Sequence, residues 1–432
     1  MLVSADWVLP VDREPIRDGA VVTCGETIVA VGTRGELEAR YPTEECSHFS
    51  GCVITPGLVN AHTHLTLTAL AGVVPSAPFA EWLPRLVAAL KPWEIADHEA
   101  SGVVGAELSL ASGVTVVGDI AYGVAEVASA ARAGLGGVFY WEVLGIQGED
   151  LPERLAALRY PTPPDAMGTR VVAGLSPHSP YTSGPGLLRA VHDSAERLGA
   201  PVAIHVAESA AEVQLMHHGT GTLEATAGRT ALGFSAPGVG SVAYLETLGV
   251  LDGASAIHLC QLEEGDLARL AASVRGVVTC PRSNRFLHNT PPLVAPLLSE
   301  GVTVGVGTDS AASNTDLDLL GELRVLHRAE PAIAPRTLLE IATVRGARAI
   351  GVGDRFGVLA PGFQADLAVF SLGATEEPER ALLERGGAKC VRAVASGGVW
   401  RVMAGELIAH DAFAAARAEQ ARETSLAALA RT

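Results

Sequence analysis

The stretch TPGLVNAHTHL, residues 55 to 65, places His62 and His64 one residue apart at the end of an apolar run. In an extended strand alternate side chains share a face, so both imidazoles point one way and Thr63 the other. Later apolar runs end in the same manner, at His178, at His205 with Glu208, at His258 and at Asp309. Three imidazoles (His62, His64, His205) and the Asp309 carboxylate suit a borderline divalent ion such as zinc and leave a position for water. A cation held in this way lowers the pKa of bound water toward about 7, so hydrolysis is its natural use.

Groups so far apart in the chain need a frame that brings them together. Eight strand candidates stand between residues 57 and 309: GLVNAHTH, VTVVGDI, GGVFYWEV, RVVAGLSPH, PVAIHVAE, ASAIHLC, GVVTCP and GVTVGVGTD. Between them run stretches with apolar residues at helical spacing, such as GPGLLRAVHDSAERLG and EEGDLARLAASVRG. This alternation predicts an α/β fold, a TIM (β/α)8 barrel over residues 56–354, with catalytic groups at the C-terminal ends of the strands. The histidines and acids named above fall at those ends. His48, His98, His192, His217, His218, His288, His327 and His410 fall instead in expected helices or loops and read as structural or solvated.

Residues 1–55 alternate β-rich stretches with turns, and DGAVVTCGETIVAVG reads as a hairpin turning at Gly25. Residues 355–410 look similar, so the two ends are expected to form one small β-sandwich domain, followed by an alanine-rich helix over 411–432.

Composition narrows the partners. The 432 residues are 48% hydrophobic and 18% charged, as in a packed globular chain, and carry a net charge of −17. That charge disfavours nucleic acid and anionic membrane, which need a basic face, and favours a small molecule. No apolar run reaches ~18 residues, so no membrane span is expected. The start MLVSADWVLPVDREP lacks the pattern of a signal peptide, which makes a cytoplasmic location the expectation. Cys24, Cys46, Cys52, Cys260, Cys280 and Cys390 have no CxxC spacing, against both a disulfide framework and a cysteine zinc site. HExxH, P-loop, GxGxxG and PCxxC motifs are absent. Homo-oligomerisation is left open.

PGLVNAHTHL, HVAE, the histidine of AIHLC and GTDS, in this order, resemble the amidohydrolase superfamily, in particular its aminohydrolase and chlorohydrolase branch. The resemblance spans nearly the whole chain, and GVLAPGFQADLAVF is similar to that family's returning terminal strand. It implies a cation held by His62, His64, His205 and Asp309, with Glu208 and His258 handling protons around the attacked carbon. Glu208 would protonate a ring nitrogen, Asp309 would pass a proton from the attacking water to the leaving amine, and His258 would orient the nucleophile. Members with two metals usually carry a bridging lysine after strand four. Here that strand ends GLSPHSPY, so one ion is expected, zinc first and iron or manganese as alternatives.

The same resemblance points to deaminases of 5′-modified adenosines. In them a histidine after strand four contacts the purine and a glutamate in an F-x-E-W-like stretch holds the ribose hydroxyls, positions matched by His178 and by Glu81 of PFAEWL. Trp82 would add an apolar wall. Arg282 and Arg285 of CPRSNRF sit where either could receive a carboxylate, or could pair with the protein's own acids. LSPHSPYTS, TCPRSNRFL and GTDSAASN are most similar to the group acting on 6-aminodeoxyfutalosine, an adenosine analogue with a 5′ benzoate in menaquinone synthesis. S-adenosylhomocysteine, 5′-methylthioadenosine or adenosine come second, and triazine or guanine hydrolysis third. A metal-binding barrel without catalysis stays open as the non-enzyme alternative.

Overall fold

The computed structural model describes residues 1–145, 148–161, 168–225 and 234–431. Both ends of the chain contribute to one eight-stranded mixed sheet, and the middle forms a second, parallel sheet of eight strands. In chain order the first four strands are β1 (Leu2–Val8), β2 (Ile16–Cys24), β3 (Thr27–Thr33) and β4 (Cys46–Pro56). The parallel sheet follows: β5 (Leu58–Thr63), β6 (Val114–Ala121), β7 (Gly136–Val143), β8 (Val171–Pro177), β9 (Val202–Val206), β10 (Ala254–His258), β11 (Gly276–Thr279) and β12 (Val304–Val306). The chain then returns to the first sheet with β13 (Leu367–Ser371), β14 (Val391–Ser396), β15 (Val399–Met403) and β16 (Glu406–Leu407).

In the parallel sheet every strand pairs with its sequence neighbour, from β5 to β12. Its strands are buried on both faces, which explains why they read as continuous Val, Ile and Ala runs without alternation. The first and last strands meet through a parallel bridge between Thr63 and Asp309, which closes the barrel. Asn60 reinforces this seam: its amide nitrogen donates to the Thr308 hydroxyl at 2.7 Å and its oxygen accepts the Thr308 N–H at 3.0 Å. The Asp309 N–H donates to the His62 carbonyl at 3.0 Å. Gly307 permits this close approach, since a Cβ there would stand 2.5 Å from the His62 carbonyl oxygen.

The terminal sheet runs in the order β16-β15-β14-β13-β4-β1-β2-β3, joined along its whole width. The expected hairpin is β2–β3, with Gly25 in the left-handed region at φ 55°. His48 lies in β4, not in a helix or loop as expected, and its Nδ1 meets the Ser4 hydroxyl at 3.0 Å. The C-terminal helix spans Ala412–Leu429, and Thr432, the last residue of the expected 411–432 segment, lies outside the described residues. Ala414 and Ala418 of this helix pack with Ala69 and Ala100. Among the described residues no helix is long and apolar enough to cross a membrane.

Candidate active site

The barrel seam carries the first part of the site. His62, near the end of β5, and His64, directly after it, face Asp309, which follows β12: their Nε2 atoms lie 3.6 Å and 3.5 Å from Asp309 Oδ1. His205, from β9, completes a trio whose candidate ligand atoms lie within 4.8 Å of one another. These separations are too long for direct hydrogen bonds. They suit groups arranged around a cation, because ligands of a tetrahedral zinc with bonds of about 2.0–2.1 Å stand a little over 3 Å apart.

The surroundings assign each nitrogen. His205 Nδ1 lies 2.9 Å from the His178 carbonyl oxygen and must donate to it, which leaves Nε2 free. His62 Nε2 is buried without any hydrogen-bond partner, an arrangement that is costly unless a ligand satisfies it. Burial holds His64 at about 3 and pushes His205 well below the ordinary histidine range, so both offer neutral lone pairs. Burial opposes ionisation of Asp309, yet the imidazoles of His62, His64 and His258 facing it hold its carboxyl well below the usual range. Asp309 Oδ2 accepts from the Ser283 hydroxyl at 2.6 Å and the Ser313 hydroxyl at 2.9 Å, which directs Oδ1 toward the histidines. The donor set, the orphaned nitrogen and the ionised carboxylate fit a divalent cation.

Two further groups stand over the cluster. His258 ends β10 with φ 76°, a strained backbone for a non-glycine residue. Its Nδ1 donates to Asn284 Oδ1 at 3.0 Å, so Nε2 faces inward as an acceptor, 4.0 Å from Glu208 Oε1. Burial holds this imidazole at about 4. Glu208 follows β9 and precedes Ser209, the residue that caps the helix Ala210–His218. Its backbone is fixed by Glu212, whose carboxylate accepts the N–H groups of Ala207 and Glu208, both at 2.8 Å. Burial, then the charge of Asp309, raises the Glu208 carboxyl well above its ordinary range, which favours its protonated form.

These groups share a cavity of about 310 Å³ with His178, Trp82, Phe79, Leu86 and Leu287. His178 Nδ1 meets the Thr182 hydroxyl at 2.7 Å. Not every expected residue is here. Glu81 lies in the first turn of the helix Phe79–Leu90, exposed and outside the cavity wall, while the next residue, Trp82, is turned inward. Arg282 is engaged by the protein's own acids: Nη1 lies 2.7 Å from Asp316 Oδ1 and Nε 3.7 Å from Glu322 Oε1. Arg285 is exposed.

Several residues of the site were not singled out in the sequence. Ser283, Asn284 and Ser313 orient the reactive groups. Asp119, at the end of β6, accepts the Leu65 N–H at 2.9 Å and so fixes the chain directly after His64. Glu142, the penultimate residue of β7, lines the cavity, and burial pushes its carboxyl up to about 7. Each of these strand-end acids follows the rule that located His62 and Asp309. Glu142, His178 and His205 form a second potential ligand trio. His205 has only Nε2 to give, so the two trios are alternatives and cannot both be filled.

Residues 53–401 match the model of the amidohydrolase family. A 5-methylthioadenosine/S-adenosylhomocysteine deaminase of Pelotomaculum thermopropionicum is 32% identical, over 81% of this chain and 79% of its own. An aminodeoxyfutalosine deaminase of Deinococcus radiodurans is 34% identical, over 77% of this chain and 81% of its own. The crystal structure of an adenosine deaminase from Xanthomonas campestris with bound zinc superposes with a TM-score of 0.84 at 26% identity, covering 98% of each chain.

Proposed function

The chain belongs to the amidohydrolase family, and from that premise we propose that it is a cation-dependent aminohydrolase of 5′-modified adenosines. The reaction adds water at purine C6, breaks the C6–N bond and releases ammonia, leaving the 6-oxo purine. The observation that carries this reading is the convergence of His62, His64, His205 and Asp309 at the barrel seam, beneath a cavity shared by Glu208 and His258.

The cation would be held by the three imidazoles and Asp309 Oδ1, with zinc favoured by the nitrogen-rich donor set and by the zinc of the Xanthomonas neighbour. When bound, it supplies Lewis acidity and makes hydroxide available near neutral pH. The chain's own residues then manage the protons. Glu208, whose burial favours the protonated form, donates to a ring nitrogen and makes the adjacent carbon electrophilic. Asp309 Oδ1, the carboxylate oxygen without a hydroxyl donor, takes a proton from the attacking water and returns it to the leaving amine. His258 Nε2, fixed as an acceptor by Asn284, orients the attacking oxygen. His178 and Trp82 wall the purine.

6-Aminodeoxyfutalosine is the first candidate substrate, supported by the name of the Deinococcus relative and by the motif resemblance. 5′-Methylthioadenosine and S-adenosylhomocysteine are the second reading, favoured by the Pelotomaculum relative and by the engagement of Arg282 with its own acids, which leaves that guanidinium unavailable to a benzoate. Ammonia release from adenosines differing only at the 5′ position, with guanine and an aminotriazine as controls, tests the proposal. Turnover of the 5′-modified adenosines above both controls is expected. Turnover of the controls alone would overturn it.

A further inference from the structure

One fully buried acid outside the reactive cavity is tied to the two loops that carry reactive groups. Glu322, on the helix Leu319–Ala329, is 0% exposed, a costly place for a carboxylate unless its oxygens are satisfied. Its Oε2 accepts the Arg282 N–H at 2.7 Å, and its Oε1 accepts the Asn314 amide at 2.8 Å. The same Asn314 nitrogen donates to the Thr308 carbonyl at 2.9 Å, directly before Asp309. The Arg282 guanidinium closes the assembly from outside, with Nε 3.7 Å from Glu322 Oε1 and Nη1 2.7 Å from Asp316 Oδ1 and 3.3 Å from the Asp318 carbonyl oxygen. Gly321 leaves room for it, since a Cβ there would stand 2.6 Å from Arg282 Nη1.

Both partners of this carboxylate are chain neighbours of groups that orient the site. Arg282, in the segment after β11, directly precedes Ser283 and Asn284, and Asn314, in the segment after β12, directly follows Ser313. Ser283 and Ser313 donate to Asp309 Oδ2 and lie 2.8 Å from each other, while Asn284 Oδ1 accepts from His258 Nδ1. One carboxylate thus joins the two segments beside all three groups. Packing alone would be served as well by an apolar side chain of similar volume, without the cost of a buried charge. We propose that Glu322 is a positioning residue of the reaction: it holds the segments after β11 and β12 in the placement from which Ser283 and Ser313 aim Asp309 and Asn284 aims His258. Arg282 belongs to the same clamp, which accounts for its engagement with acids of the chain rather than with a substrate. The effect on turnover rests on the deaminase reading, whereas the effect on the cation rests only on the ligand cluster.

The test is Glu322→Gln, which keeps the volume but turns one oxygen into an amide nitrogen that faces another N–H donor. Zinc retention is measured against a graded chelator series, kcat and KM on a 5′-modified adenosine at saturating zinc, and stability by the melting temperature. Retention and kcat should each fall by ~10- to 100-fold, as when a group that orients a ligand is lost. KM should change little, because His178, Trp82 and Phe79 stand on other elements of the cavity wall. The effect on retention runs through Ser283, so Glu322→Gln should add little to it in a Ser283→Ala background. Two losses that multiply overturn the proposal, as does a lowered melting temperature with wild-type retention or wild-type kcat. Should the Gln variant fail to fold, Asp316→Ala at the exposed outer end of the clamp takes its place. A smaller loss of both retention and kcat is then expected, and a wild-type value of either overturns the proposal. A wild type that retains zinc but deaminates no nucleoside overturns the deaminase reading, while the retention series still decides whether Glu322 positions Asp309.

Discussion

Ser283 donates its hydroxyl to Asp309 Oδ2 at 2.6 Å, and this contact turns the other carboxylate oxygen toward His62 and His64. Groups that orient a metal ligand typically contribute about 10- to 100-fold to affinity or activity. Ser283→Ala should therefore weaken cation retention by roughly that factor while the fold persists. Asp309→Asn, which removes the charge itself, should impair both retention and turnover more severely. Metal content after dialysis against a graded chelator series measures both.

Glu208→Gln should keep the cation and lose turnover by ~10²- to 10⁴-fold, the usual contribution of a positioned acid or base. Metal analysis and ammonia release on the same sample make the comparison. A variant with near wild-type rate would remove Glu208 from the role of proton donor.

Acid should release the cation late. Protons compete with a metal for neutral imidazoles, and burial holds His64 at about 3 and pushes His205 well below its ordinary range. Competition thus begins well under the ordinary histidine value of about 6.5. Metal content should be unchanged between pH 7 and about pH 5 and fall below that, whereas solvated histidines would begin to release the ion near pH 6.5. The same lowered values have a stability consequence in the metal-free protein. Below about pH 6.5 the unfolded chain gains protons that the folded chain refuses, so thermal stability should decline with falling pH through that window.

Much of this arrangement was legible in the chain, for a physical reason. Barrel strands buried on both faces appear as uninterrupted β-branched runs, so the expected strands and β5–β12 coincide in order and nearly in bounds. A polar residue at the end of such a run falls at the C-terminal rim of the barrel, where the structure brings His62, His64, His205, Glu208, His258 and Asp309 together. The same signal was present for Glu142 in GGVFYWEV and Asp119 in VTVVGDI, but an acid without a neighbouring histidine does not announce its role. Side-chain direction on helices and loops was less accessible. Nothing local in CPRSNRF reveals that Arg282 meets Asp316 and Glu322, residues 34 and 40 positions later. Glu81 and Trp82 are adjacent, so a helix must send them to different faces, and only packing decides which turns inward.

The seam itself can be tested by volume. A Cβ at residue 307 would stand 2.5 Å from the His62 carbonyl oxygen and 2.8 Å from the His62 Cβ. Gly307→Ala should force the strands apart, costing ~1–3 kcal/mol as overpacking does, and displace His62 from Asp309. A lowered melting temperature together with weakened metal retention is the expected result. Loss of stability with full retention would uncouple barrel closure from the site.

The most direct measurement is ammonia release from a 5′-modified adenosine by chelator-stripped protein during titration with zinc. The account predicts no turnover in the stripped protein, recovery in proportion to added ion, and a plateau at about one equivalent per chain, set by a single four-ligand site. Full turnover by stripped protein, or a plateau reached only at two equivalents, would contradict it.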